Sequence, residues 1–74
     1  MILSFLGMKI IFPNGRMHIF SIEEFDYYTT TNELQHREKN IIITLSNVAN
    51  SFLYELDESG EITMKEPLEV HIIK

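Results

Sequence analysis

Residues 9–20, Lys9-Ile-Ile-Phe-Pro-Asn-Gly-Arg-Met-His-Ile-Phe20, hold two apolar runs separated by Asn14-Gly15. Asn-Gly is the strongest short-range hairpin signal, because both central residues of a two-residue turn take positive φ. On this reading Phe12 faces Met17, Ile11 faces His18, Ile10 faces Ile19 and Lys9 faces Phe20. Alternation then puts Ile10, Phe12, Met17 and Ile19 on a core face and Lys9, Ile11, His18 and Phe20 on the reverse. The reverse face is half apolar, more than a face lying against water needs, so a second layer or a partner should cover it.

Working outward, Ser21-Ile22-Glu23-Glu24 has the form of a capping box and predicts a short helix over Ile22–Tyr28, with Ile22 and Phe25 inward. The β-branched Thr29-Thr30-Thr31 should end it. The polar segment from Thr29 to Asn40 reads as a loop, or as a loop carrying an exposed helical turn over Glu33–Lys39. Ile41 to Leu45 reads as a buried strand. Residues 46–58 fit either period. Helical spacing aligns Val48, Ala49, Phe52, Leu53 and Leu56, and strand alternation aligns Phe52, Tyr54 and Leu56. A three-residue loop, Glu58-Ser59-Gly60, favours the strand, because it pairs Leu56 with Ile62, Tyr54 with Met64 and Phe52 with Glu66. Pro67 marks a bend or an edge, and Leu68 to Ile73 form a last strand. The fold class is therefore α+β, mainly β. The expected form is one domain over residues 1–74, a small antiparallel sheet or partly open barrel of five or six strands with one short helix after the first hairpin.

A chain of 74 residues buries only about 60% of its unfolded surface, so the core is thin. With 45% hydrophobic residues and no cysteine, the chain is too apolar for disorder and has no disulfide to staple it. The apolar opening Met1–Phe12 lacks a basic leader and is interrupted by Lys9. It reads as neither signal peptide nor membrane anchor, and a cytoplasmic protein is expected. Charge is uneven: residues 1–20 carry two basic and no acidic side chains, and residues 21–74 carry four basic and all eleven acidic ones. The net charge of −5 opposes nucleic acid except at a locally basic patch.

Chemistry-bearing motifs are weak. His18, His36 and His71 lack metal-ligand spacing, and the pairing of His36 with Glu38 has no third ligand. There is no cysteine nucleophile, no nucleophile elbow and no phosphate-binding glycine pattern, so neither catalysis nor a cofactor is expected. The acids Glu55, Asp57, Glu58, Glu61, Glu66 and Glu69 form an acidic surface around the second hairpin, without the spacing of a calcium loop. Tyr27-Tyr28 reads as half-buried packing.

The surplus apolar residues assign an interface to Lys9, Ile11, His18, Phe20 and Ile73, with Ile2 and Phe5 nearby. The leading expectation is a non-catalytic, self-associating protein-binding module, most simply a homodimer, with another protein as a further partner. Two alternatives are weighed beside it. One is an acidic inhibitor or nucleic-acid mimic that occupies a basic groove. The other is a single-strand binder using Lys9, Arg16, His18 and Phe20.

Overall fold

A computed structural model describes residues 4–74. Among them eight strands form: β1 (Gly7–Ile11), β2 (Met17–Ser21), β3 (Phe25–Tyr28), β4 (Glu33–His36), β5 (Ile41–Thr44), β6 (Phe52–Leu56), β7 (Ile62–Pro67) and β8 (Glu69–Ile73). They make two antiparallel sheets, one of order β2-β1-β8 and one of order β3-β4-β5-β6-β7. The mainly-β class holds. The strands outnumber the five or six expected, the sheets do not close into a barrel, and among the described residues the only helical pieces are two 3-10 turns.

The core lies between the sheets. Met8, Ile10 and Phe20 come from the first sheet, Phe25, Leu34, Ile41 and Ile43 from the second, and Leu68 from the crossing between them. Phe20 is the largest fully enclosed side chain, and it meets Phe25 edge-to-face at 5.9 Å between ring centroids. Such geometry suits the aromatic quadrupole and adds to the burial itself.

The first hairpin forms one residue away from the expected register. Ile11 pairs with Met17, Ile10 with His18, Lys9 with Ile19 and Met8 with Phe20. Pro13 is the cause. Its fixed φ suits the second position of a type I turn, so the turn is Phe12-Pro13-Asn14-Gly15. The Gly15 N–H donates to Phe12 O (2.9 Å), the Phe12 N–H donates to Arg16 O (2.8 Å), and Gly15 alone takes positive φ, at 85°. A one-residue slip exchanges faces. Phe20, expected on the reverse face, is 1% exposed, whereas Met17 and Ile19, expected in the core, are 59% and 61% exposed.

The helix expected over Ile22–Tyr28 is a single 3-10 turn, Ile22–Glu24. Its capping box is present: Ser21 Oγ accepts from the Glu23 N–H (3.3 Å) and Glu24 Oε2 accepts from the Ser21 N–H (2.8 Å). The turn stops because Phe25 and Tyr27 alternate as strand residues, with Phe25 buried against Phe20. The polar segment expected as a loop supplies β4, which buries Leu34 and His36 on alternate positions. Asn32, at φ 54°, turns the chain between β3 and β4 and accepts from the Tyr27 hydroxyl (2.8 Å).

The second hairpin has the expected loop. The Gly60 N–H donates to Asp57 O (3.1 Å), Gly60 has φ 88°, and Leu56 pairs with Ile62. A bulge next to Leu56 then shifts the pairing, so Tyr54 faces Lys65, Leu53 faces Glu66 and Phe52 faces Pro67. At Pro67 the chain leaves the five-stranded sheet, and Leu68 donates its N–H to Ser51 O (3.1 Å) before β8 pairs with β1.

Candidate functional site

In the three-stranded sheet, alternation sends Met8, Ile10, Phe20, Val70 and Ile72 toward the other sheet, where all five belong to the core or pack against it. The outer face follows from the same register. Lys9 lies between Ile19 and His71, and Ile11 lies between Met17 and Glu69. Ile73, at the end of β8, pairs across to Gly7. The face therefore has an apolar side of Met17, Ile19 and Ile11 and a polar side of Lys9, Glu69 and His71, with His71 Nε2 at 2.5 Å from a Glu69 carboxylate oxygen. Met17 and Ile19 stand on β2, an edge strand of this sheet. An exposed apolar pair on an edge strand invites association unless something covers it.

Of the interface residues expected from sequence, Lys9, Ile11 and Ile73 share this outer face. Phe20 is core, and His18 points to the other side, its ring 4.4 Å from the Phe20 ring. Phe5 is partly buried against the core, and Ile2 lies outside the described residues. Met17 and Ile19 were missed. The signal that finds them is Pro13, which sets the turn.

His36 joins the two sheets. Its ring is buried, edge-on to Phe20 (5.1 Å) and Phe25 (5.0 Å). Nδ1 accepts from the backbone N–H of Glu38 and of Lys39, both at 3.0 Å, so the proton sits on Nε2 and is directed to Glu24 Oε1 at 3.3 Å. Satisfied on both nitrogens, His36 is a structural pin. The Ser21 amide, followed by the hydrogen bond to His36, holds the Glu24 carboxyl below its ordinary value. A group whose folded value is lowered stabilises the fold above its unfolded value, and that contribution is lost as pH falls through the folded value. Stability is therefore expected to fall on acidification below the ordinary glutamate range. Glu24→Gln keeps one acceptor oxygen for the Ser21 N–H and gives up the contact with the His36 Nε2–H, so it should lower stability near neutral pH and flatten that acid limb in melts run at successive pH values.

The acidic residues divide. Glu55, Asp57, Glu58 and Glu61 are exposed on the β6–β7 hairpin, Glu66 is half-buried on β7, and Glu69 begins β8 in the other sheet. Asp57 is committed to the turn: its Oδ1 accepts from the N–H groups of Ser59 and Glu61, both at 2.9 Å, and from the Ser59 hydroxyl. The Ser59 hydroxyl, then the Glu61 amide, lower its carboxyl from the ordinary value. Around Glu55, Glu58 and Glu61 the same arm exposes Leu56, Ile62 and Met64.

Two shallow hollows flank the 3-10 turn Val48–Asn50, of about 420 and 440 Å³. The polar groups of the second are engaged in the fold: Ser51 Oγ accepts from the Thr44 N–H (3.2 Å), and Lys65 Nζ stands over the Phe52 ring at 4.5 Å. Among the described residues no group of three histidines or carboxylates could hold a metal ion, and no helix is long and apolar enough to cross a membrane. Compared with protein-family models, with curated proteins and with solved structures, the chain matches none.

Proposed function

We propose that this chain is a non-catalytic module that self-associates as a homodimer in the cytoplasm, two copies meeting through the outer face of the β2-β1-β8 sheet. The observation that carries the reading is the exposure of Met17 and Ile19, 59% and 61%, side by side with Ile11 on a face opposite a closed core. Burial of apolar area yields about 25 cal/mol per Å², so covering these side chains is a hydrophobic gain left to the folded chain. The face also carries both signs, Lys9 and Glu69. Two copies related by a two-fold axis can match those charges around an apolar centre.

Ile19→Glu is the test. A charge desolvated within an interface costs several kcal/mol, and on a free surface it costs little. Sedimentation equilibrium should show the dimer constant weakened by about a hundredfold or more, with the melting temperature of the dilute protein unchanged. A wild-type chain that stays monomeric at high concentration would remove the proposal.

A second reading rests on the β6–β7 arm, where Glu55, Glu58 and Glu61 have no cationic partner among the described residues and alternate with exposed Leu56, Ile62 and Met64. Such an arm suits the basic groove of another protein, in the manner of an acidic inhibitor. Complexes of that kind are displaced steeply by salt, unlike an apolar dimer.

A further inference from the structure

Where the β1–β2 hairpin loop approaches the segment between β4 and β5, a hollow of about 200 Å³ is lined by Arg16, His18 and Lys39 together with the rings of Phe12 and Phe20. No carboxylate lines it. Arg16 and His18 come from one sheet and Lys39 from the loop after β4 in the other, so the convergence is a product of the tertiary fold. Both ends are held in place. The Arg16 N–H donates to Asn14 Oδ1 (2.9 Å), and the Lys39 N–H donates to the buried His36 ring (3.0 Å). Among the described residues neither Arg16 nor Lys39 forms an ion pair. Glu24 has one oxygen on His36 and the other on the Ser21 N–H.

We propose that this hollow binds the phosphate of a nucleotide, with Arg16 and Lys39 on the phosphate oxygens and the base against Phe12 and His18. In a protein whose net charge is −5, Arg16 and Lys39 make a local positive spot with no carboxylate among its lining, and a bound dianion is attracted to both. Arginine presents a planar fork to two oxygens and lysine a point charge. Half-buried Phe12 and exposed His18 add aromatic surface beside the charges. The hollow is smaller than the 300–1,000 Å³ typical of drug-sized ligands, which limits the occupant to one nucleotide or the end of a strand.

The test is an amide NMR titration of the full chain with inorganic phosphate, with adenosine monophosphate and with a short oligothymidylate. The monophosphate should shift the amides around Arg16, His18 and Lys39 and bind more tightly than inorganic phosphate. Arg16→Ser and Lys39→Ser should each weaken it by about tenfold or more, while Lys65→Ser, outside the hollow, leaves it unchanged and all three proteins remain folded by circular dichroism. Tighter binding of the oligonucleotide, lost in the same two variants, would support the proposal with a strand end as the source of the phosphate. No shift at millimolar monophosphate, equal affinity for phosphate and nucleotide, or equal affinity in the two variants would overturn it. Met17 borders both the hollow and the dimer face, so the titration is repeated on Ile19→Glu, in which self-association is weakened: phosphate binding that persists there is independent of the dimer, and binding lost there would overturn the proposal.

Discussion

Phe20→Ala is expected to remove most of the protein's stability at room temperature. Truncating a buried phenylalanine costs about 3–5 kcal/mol, and domains of this size have a total stability near the low end of the 5–15 kcal/mol range. Phe20 is 1% exposed and stands where the two sheets meet, in ring contact with Phe12, Phe25 and His36. Its loss removes the aromatic centre and the wall against which His36 is packed. Circular dichroism and a urea titration measure the effect. A folded variant within 1 kcal/mol of wild type would mean that the sheets are held by something other than this cluster.

Gly7→Ala should rank next. A glycine replaced by alanine in a strand ordinarily gains up to about 1 kcal/mol, because the unfolded chain loses freedom. Here the added Cβ would stand 2.2 Å from the backbone oxygen of Phe20. Backbone atoms cannot step aside as a flexible side chain does, so β1 and β2 must part where Gly7 pairs with Ser21. Overpacking of this kind costs about 1–3 kcal/mol and sometimes more, and it outweighs the entropic gain. Thermal unfolding should show a lower midpoint, and hydrogen exchange should show faster opening at the Gly7 end of the pair than at Ile11. An unchanged or raised midpoint would show that the strands approach less closely than the structure has them.

The two hairpins show how far the sequence could be read. Both use the same turn, Phe12-Pro13-Asn14-Gly15 and Asp57-Glu58-Ser59-Gly60, with the glycine alone at positive φ. In the second, the three-residue loop is plain from Glu58-Ser59-Gly60, and Leu56 falls opposite Ile62 as expected. In the first, Asn14-Gly15 reads as a complete two-residue loop, whereas Pro13 makes the loop three residues long. A type I′ turn needs positive φ at both central residues, and Asn14 does not have it. That single residue of register carried Phe20 into the core and Met17 and Ile19 out to solvent.

Local signals were right where they were sufficient by themselves. The capping box at Ser21 forms, but it fixes only the start of a helix, and its length was decided by Phe25 and Tyr27 packing as a strand. β4 could not be seen in Glu33-Leu-Gln-His36, because half of its inward side is a histidine. Only the tertiary fold gives His36 its two backbone donors and its place between Phe20 and Phe25. The basic hollow was partly legible. Arg16 and His18 stood together in the chain, whereas Lys39 joins them only once the sheets pack.

The most direct test of the self-association account is a methyl NMR dilution series on wild-type protein, from millimolar to low micromolar concentration. The account predicts that the methyl signals of Met17, Ile19 and Ile11 move with concentration along one two-state curve, while those of Leu56, Ile62 and Met64 on the distant hairpin arm stay fixed. Concentration-dependent shifts confined to the arm, or signals on the outer face that never move, would contradict it.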